Sequence, residues 1–115
     1  MSTVKVKEIS VFFPCYNEAD NLTGLVAESL KVLGQLADDF EIIIVDDGSS
    51  DSSREIAQNL SEANPQLRVI THLSNRGYGA ALRSGFNSAR KELVFYTDGD
   101  HQFYLEDIER LLPLL

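Results

Sequence analysis

The sequence predicts an α/β fold in three layers, with a mostly parallel, Rossmann-like sheet between two layers of helices. Two periodicities alternate along its 115 residues. Short apolar runs rich in β-forming residues are followed by longer segments whose apolar residues recur at helical spacing. Four strand and helix pairs follow one another in this way, which is the pattern of a parallel sheet with crossover helices.

The predicted elements follow from these runs and from the turn residues between them. Strands are expected at 9–13, 40–45, 67–71 and 93–97, and helices at 18–36, 52–63, 80–90 and from 105 onward. Apart from Glu41, the second strand is apolar, which predicts cover on both of its faces. Ser52 and Glu55 predict a capping box at the second helix. The residues expected to face the core from the first three helices are Leu22, Leu25, Val26, Leu30, Leu33, Ile56, Leu60, Ala63, Leu82, Phe86 and Ala89.

The composition narrows the range of possible functions. The net charge is −8, with 18 acidic against 10 basic residues, which disfavours a nucleic-acid partner and suits carboxylates that hold a divalent cation. Cys15 is the single cysteine, so no internal disulfide can form, and we expect it to be a small buried residue. No apolar run reaches the roughly 20 residues that cross a bilayer, and no signal peptide is apparent. We therefore expect a cytoplasmic domain, with any attachment to the cytoplasmic face of a membrane in missing C-terminal sequence.

Three polar clusters each follow a predicted strand. They are residues 14–18 after the first strand, Asp46-Asp47-Gly48 after the second and Asp98-Gly99-Asp100 after the fourth. Ligands of parallel sheets bind beyond the carboxyl ends of the strands, so these clusters should meet at one edge. The sequence therefore predicts one ligand site built from all three.

Asp98 and Asp100 are the candidate metal ligands. Two carboxylates that are separated by one residue at a strand end suit Mg²⁺ or Mn²⁺. Water and diphosphate oxygens would fill the remaining coordination positions of the ion. An ordinary Asp-Gly turn explains this motif better than a metal site when it is taken alone, because such turns are common. The convergence of the other clusters on it favours the metal.

The clusters after the first two strands contain the candidate nucleotide contacts. Asp46 and Asp47 could accept hydrogen bonds from ribose hydroxyls or a base N–H, although turn and N-cap chemistry would account for them without a ligand. Tyr16 could lie against a nucleobase and Glu18 could accept from the base or ribose. The alternative is that Asn17 or Asp20 merely caps the first helix.

The loop at 74–79 is basic and rich in glycine. Arg76 could counter diphosphate charge, and backbone N–H groups at the following helix start favour anions. A flexible loop with a solvated arginine is the alternative. His72 and His101 lack a second ligand at metal spacing and are expected to be surface or packing residues.

Taken together and in this order, the motifs resemble family 2 of the glycosyltransferases, which have the GT-A fold. Within that family the chain is most similar to the branch related to dolichol-phosphate mannose synthase, which transfers a sugar from a nucleotide diphosphate to a polyprenyl phosphate. The matching segments are Phe13-Pro14-Cys15-Tyr16-Asn17-Glu18, Ile44-Val45-Asp46-Asp47-Gly48-Ser49-Ser50-Asp51, Asn75-Arg76-Gly77-Tyr78-Gly79 and Asp98-Gly99-Asp100-His101-Gln102-Phe103.

The resemblance implies a role for each matching residue and a strand order of 3-2-1-4. It implies that residues 1–115 are the nucleotide-sugar-binding N-terminal part of a longer catalytic domain, with the catalytic base expected beyond Leu115. A DxD motif at Asp98 and Asp100 would hold Mg²⁺ or Mn²⁺ on the donor diphosphate. The implied nucleotide-binding residues are Pro14, Tyr16, Glu18, Asp46, Asp47, Arg76 and Gln102.

The expected reaction of the whole protein is inverting transfer from a UDP- or GDP-linked sugar to an acceptor, such as a polyprenyl phosphate. The 115-residue chain alone is expected to bind the donor with little or no transfer. The main alternative is an inactive nucleotide-binding fragment or scaffold that forms homo-oligomers through an exposed sheet edge. A weaker alternative is a Mg²⁺-dependent phosphotransferase with Asp98 as nucleophile.

Overall fold

The computed structural model describes residues 6–97 and contains every element predicted within that range. The helix predicted from residue 105 lies outside the described residues. The strands are β1 (Val6–Cys15), β2 (Ala37–Asp46), β3 (Leu67–Thr71) and β4 (Leu93–Tyr96). The helices are α1 (Ala19–Leu36), α2 (Ser53–Ala63) and α3 (Tyr78–Ser88).

The sheet is parallel throughout, and its order is β3-β2-β1-β4, so the predicted fold class and strand order are confirmed. β1 lies between β2 and β4, with Phe12 opposite Ile43 on one side and Tyr96 on the other. Helices α1 and α2 pack on one face of the sheet and α3 packs on the opposite face. The carboxyl ends of β1 and β2 therefore open at the same edge, flanked by helices from both layers.

The two faces of β2 enter different halves of the core. Ile42 and Ile44 pack with α1 and α2, whereas Ile43 and Val45 pack with α3, and all four side chains are fully buried. This alternation follows from the two-residue period of a strand. It confirms the prediction that the second strand is covered on both faces.

The helices face the core with somewhat different residues from those predicted. In α1 four of the five predicted residues are buried and Leu30 is partly buried. In α2 the predicted Ala63 is exposed, and the fully buried alanine of this helix is Ala57. In α3 the predicted Phe86 is 48% exposed, because the helix approaches the sheet through its small residues, and Gly85 lies against the ring of Phe12.

The predicted capping box of α2 does not form. The side chain of Ser52 makes no capping hydrogen bond. Instead, the backbone N–H of Ser53 donates to Oδ1 of Asp51 (2.9 Å), and the Ser53 hydroxyl accepts from the backbone N–H of Glu18 (2.9 Å). The start of α2 thus receives its cap one residue earlier and is tied to the start of α1.

A buried carboxylate fastens the segment between α3 and β4 to the sheet. Glu41 accepts hydrogen bonds from the Ser10 hydroxyl (2.6 Å), from the Arg68 guanidinium (2.9 and 3.1 Å) and from the Arg90 backbone N–H (2.7 Å). Burial raises the pKa of Glu41, but these hydrogen bonds outweigh burial and hold that pKa below its ordinary value. Glu41 therefore stays ionised and ties Arg90, three residues before β4, to the sheet.

Candidate functional site

Asn17 joins the loop after β1 to the loop after β2. Its backbone has φ 55°, a left-handed conformation that asparagine tolerates better than most residues. Its side-chain oxygen accepts from the backbone N–H groups of Ser50 (2.8 Å) and Asp51 (3.3 Å), and its own N–H donates to the Ser49 hydroxyl (2.9 Å). These bonds hold the neighbouring Tyr16 at the carboxyl edge of the sheet.

The two carboxylates at the carboxyl end of β2 point to different faces, as adjacent residues on a strand do. Asp46 lies on the side of α1 and α2, where its Oδ1 accepts from the backbone N–H of Ser49 (3.4 Å) and from the Ser49 hydroxyl. Its buried Oδ2 has no hydrogen-bond partner within residues 6–97, although Nε of Arg54 lies 3.6 Å away. Asp46 therefore stabilises the turn after β2, which matches the alternative in which this residue has a role in the turn and contacts no ligand.

Asp47 lies on the side of α3 and binds the glycine-rich loop. Its Oδ1 accepts from the backbone N–H of Arg76 (2.9 Å), and its Oδ2 accepts from that of Gly77 (3.0 Å). The imidazole of His72 is also bonded to Oδ1 (2.7 Å). The N–H groups predicted to favour an external anion at the helix start are thus bonded to an anion of the protein itself.

These contacts keep Asp47 ionised. Burial raises the pKa of its carboxyl group, but the hydrogen bonds from His72 and from the Arg76 and Gly77 N–H groups lower it further, so the pKa lies below its ordinary value. Asp47 is consequently an acceptor only, and Oδ2 retains lone-pair capacity beyond the Gly77 bond.

Gly48 permits the close approach of the loop. Its φ is +72°, and a Cβ at this position would lie 2.3 Å from the backbone nitrogen of Asn75 and from the backbone carbon of Ser74. A residue with a side chain would therefore meet both a strained backbone and a clash. The turn after β2 and the glycine-rich loop form one packed unit because this position is glycine.

A cavity of about 170 Å³ opens where β1, β2 and the glycine-rich loop meet. Tyr16 and Tyr78, which are 47% and 53% exposed, stand at its border. Sites for drug-sized ligands occupy roughly 300–1,000 Å³, so this cavity suits one part of such a ligand. Its lining is Pro14, Cys15, Tyr16, Asp47, Asn75, Gly77, Tyr78 and Ala81.

The structure brings together some of the predicted nucleotide-binding residues and separates others. Pro14, Tyr16 and Asp47 line the cavity, and the exposed Arg76 precedes its wall at Gly77. Glu18 and Asp46 do not line the cavity. Glu18 instead accepts from the side-chain amide of Asn21 (2.9 Å) at the start of α1. The predicted site residues outside the described residues are Asp98, Asp100 and Gln102.

The residues at this edge that were not predicted as site residues include Asn75, Tyr78 and His72. Asn75 and Tyr78 line the cavity and belong to a motif from which only Arg76 was selected. His72 was expected to be a surface or packing residue, and its 6% exposure agrees with packing, but both of its ring nitrogens are also hydrogen-bonded. Its position directly after β3 was the available signal, because this is where the ligand rule for parallel sheets points.

The predicted metal site depends on Asp98 and Asp100, which follow the described residues. Within residues 6–97, no group of three or more His, Cys, Asp or Glu side chains is placed to hold a metal ion. The backbone N–H of Thr97 donates to the carbonyl of Phe12 (3.3 Å), so the described chain ends beside β1, one residue before Asp98. None of the helices in the described part is long and apolar enough to cross a membrane.

Known proteins match this chain in sequence and in fold. The profile described as Glycosyl transferase family 2 matches residues 10–115. The undecaprenyl-phosphate 4-deoxy-4-formamido-L-arabinose transferase of Photorhabdus laumondii is 40% identical over 114 residues, which cover 97% of this chain and 35% of that protein. The chain thus spans about a third of the length of this curated relative.

Two solved structures have a fold similar to that of this chain. S. aureus TarS 1-349 in complex with UDP-GlcNAc has a TM-score of 0.69 at 26% identity, covering 92% of this chain and 30% of TarS 1-349. The mannosyltransferase PcManGT from Pyrobaculum calidifontis, in complex with GDP-Man and Mn²⁺, has a TM-score of 0.62 at 25% identity, covering 87% and 31%. With the profile match across all but the first nine residues, the chain belongs to glycosyltransferase family 2.

Proposed function

We propose that this chain binds the nucleotide part of a nucleotide-diphosphate sugar in the cavity bordered by Tyr16 and Tyr78. The observation that carries the proposal is the position of this cavity, at the carboxyl ends of β1 and β2 with the ionised Asp47 in its lining. The structures of TarS with UDP-GlcNAc and of PcManGT with GDP-Man support it, since both similar proteins hold nucleotide sugars.

The lining suits a nucleobase. Tyr16 offers an exposed aromatic face, on which a base can stack. Asp47 is ionised and accepts hydrogen bonds only, so it selects a base edge or ribose hydroxyl that donates. Pro14 and Ala81 supply apolar surface beside these groups. Asp46 and Glu18 remain predicted contacts of the ribose or base, although the structure shows them in turn and helix-start contacts.

The diphosphate would lie toward Asp98 and Asp100, which we propose as the ligands of Mg²⁺ or Mn²⁺. Such an ion, when bound, supplies positive charge against the departing nucleotide diphosphate. Two carboxylates are a usual protein contribution to such ions, whose other positions go to water and phosphate oxygens. Arg76 and Gln102 are proposed as additional donor contacts, and the exposure of Arg76 leaves its guanidinium accessible.

For the whole protein we propose inverting transfer to a polyprenyl phosphate at the cytoplasmic face of a membrane. The name of the undecaprenyl-phosphate transferase that is 40% identical supports this acceptor class. A phosphate acceptor is already anionic, so its attack on the anomeric carbon needs little help from a general base. The base that an alcohol acceptor would require is expected beyond Leu115.

The alternative proposal is a self-associating scaffold. β4 is an edge strand of the described sheet, and Val94, Tyr96 and the neighbouring Phe86 are 38%, 40% and 48% exposed. Exposed edges with apolar side chains favour pairing between chains. Light scattering at high concentration tests this alternative, which predicts dimers or larger species and is contradicted by a clean monomer.

Nucleotide binding is tested by titration calorimetry of the chain with UDP and GDP in the presence of Mn²⁺. Base stacking contributes about 1–3 kcal/mol, so Tyr16→Ala should weaken the preferred nucleotide at least about fivefold. Leu73→Ala, which changes a 94% exposed side chain outside the cavity lining, should leave the affinity unchanged. Absence of binding at millimolar nucleotide, or equal affinity of the Tyr16 variant, would contradict the proposal.

A further inference from the structure

Three hydrogen-bonded polar side chains stand behind the cavity, of which Asp47 and His72 are buried and Ser84 is partly buried. The ring nitrogen Nδ1 of His72 lies 2.7 Å from Oδ1 of Asp47, and Nε2 lies 2.8 Å from the hydroxyl oxygen of Ser84. His72 is 6% exposed and Asp47 is 4% exposed. These three side chains connect the ends of β2 and β3 with helix α3, although they are far apart in sequence.

The chemistry of the partners fixes the direction of these hydrogen bonds. The Asp47 carboxylate can only accept, so Nδ1 of His72 must carry the proton that it shares with Asp47. In the neutral imidazole Nε2 is then an acceptor, and the Ser84 hydroxyl donates to it. Asp47 thereby selects the tautomer, and the Ser84 hydroxyl holds the imidazole in the orientation that donates to Asp47.

His72 acts on the cavity only through Asp47. Asp47 lines the cavity, whereas the described lining contains neither His72 nor Ser84. The carboxylate that receives the His72 proton also binds the N–H groups of Arg76 and Gly77. Rotation of Asp47 would release both N–H groups, and with them the loop that forms one wall of the cavity.

Serine, histidine and aspartate in this order also form the catalytic triad of many hydrolases. Here the imidazole is almost completely buried, and Ser84 donates to it from the inner side of α3, away from the described cavity. The arrangement therefore serves to hold a carboxylate in place.

We propose that His72 is a positioning residue for the donor site, which fixes the Asp47 carboxylate so that the glycine-rich loop is ordered before nucleotide arrives. This inference rests on the proposed function for its effect on affinity. Its effect on the loop is independent of any ligand and can be measured separately. A cavity wall that is already ordered strengthens binding, because the entropy cost of ordering the loop is not incurred when the nucleotide binds.

The test compares His72→Asn with His72→Leu. The amide nitrogen of asparagine stands at the same distance along the side chain as Nδ1 and can donate to Asp47, whereas leucine removes the donor. Hydrogen exchange of the Arg76 and Gly77 amides is measured first, without nucleotide. The affinity for UDP or GDP with Mn²⁺ is measured second. Ser29→Ala is the matched control, since it removes a buried hydrogen bond to the Leu25 carbonyl (2.7 Å) in α1.

We expect His72→Leu to exchange both amides at least about tenfold faster and to bind nucleotide at least about tenfold more weakly, because a hydrogen bond to a charged group is lost. His72→Asn should stay within about threefold of the wild type in both measurements. The Ser29 variant should lower the melting temperature without changing either result.

Unchanged exchange and affinity in His72→Leu would overturn the proposal, and so would an equal loss in Ser29→Ala. If His72→Leu does not fold, Ser84→Ala replaces it, and unchanged exchange of both amides in that variant overturns the proposal. If the wild type binds no nucleotide, the proposed function fails. The amide exchange then still decides whether His72 orders the loop.

Discussion

Replacing Gly48 with alanine is the sharpest perturbation of the packed unit beneath the cavity. The new Cβ would lie 2.3 Å from the backbone nitrogen of Asn75 and from the backbone carbon of Ser74, and 2.8 Å from the Ser74 Cα. All three contacts are with backbone, which cannot rotate away as a flexible side chain can. The glycine-rich loop must therefore move, and its N–H bonds to Asp47 must lengthen.

The expected cost has two parts. A left-handed backbone costs an L-residue about 1–2 kcal/mol, and φ at Gly48 is +72°. Overpacking adds about 1–3 kcal/mol. The sum, about 2–5 kcal/mol, is a large fraction of the roughly 5–15 kcal/mol that stabilises a typical domain.

Urea denaturation followed by circular dichroism measures this loss in Gly48→Ala. Gly24→Ala is the control, because a Cβ at Gly24 has nothing within 4 Å and lies within α1. The control should gain up to about 1 kcal/mol from helix propensity. A Gly48 variant within about 0.5 kcal/mol of the wild type would refute the packing described for the loop.

Other parts of the structure give further predictions. Gly85→Ala should destabilise the fold by about 1–3 kcal/mol in urea denaturation, because the new Cβ would lie 2.2 Å from the Phe12 ring. A variant as stable as the wild type would contradict that contact. Asn17→Ala should lose about 1–3 kcal/mol and also weaken nucleotide binding, because it frees the loop that carries Tyr16; calorimetry showing unchanged affinity would count against this. Glu41→Gln should cost about 1.5–3 kcal/mol at neutral pH. Because the folded pKa of Glu41 is depressed, its contribution is present above the unfolded-state pKa and is lost as the pH falls through the folded value. The free energies of unfolding of wild type and variant should therefore converge as the pH is lowered from 7. A difference that stays constant with pH would exclude a stabilising role of the ionised Glu41.

The alternation of apolar periods was sufficient to predict the layers, the order of elements and the parallel sheet. Strand limits were less accessible, because pairing across the sheet decides them. β2 begins at Ala37 and includes Asp38 and Asp39, whose polar character gave no strand signal. Backbone pairing with β1, from Val6 opposite Ala37 onward, extends the strand through them.

The candidate site was predictable as a place but only partly as a set of contacts. The rule for strand ends led to Tyr16 and Asp47, and both line the cavity. The sequence also suggested a matched acidic pair, yet Asp46 faces the other layer because adjacent strand residues alternate. The bond between Asp47 and His72 could not be read from local spacing, since 25 residues separate them and only the β2–β3 pairing brings them together.

The decisive measurement is where nucleotide binds on this chain. Backbone NMR of the isotope-labelled chain, titrated with UDP and with GDP in Mg²⁺, reports every amide that a ligand affects. We expect saturable shifts at Tyr16, Asp47, Gly77 and Tyr78 for one of the two nucleotides, and none at Arg68, at the amino end of β3. Absence of shifts at millimolar nucleotide, or shifts confined to the Arg68 end, would contradict this expectation.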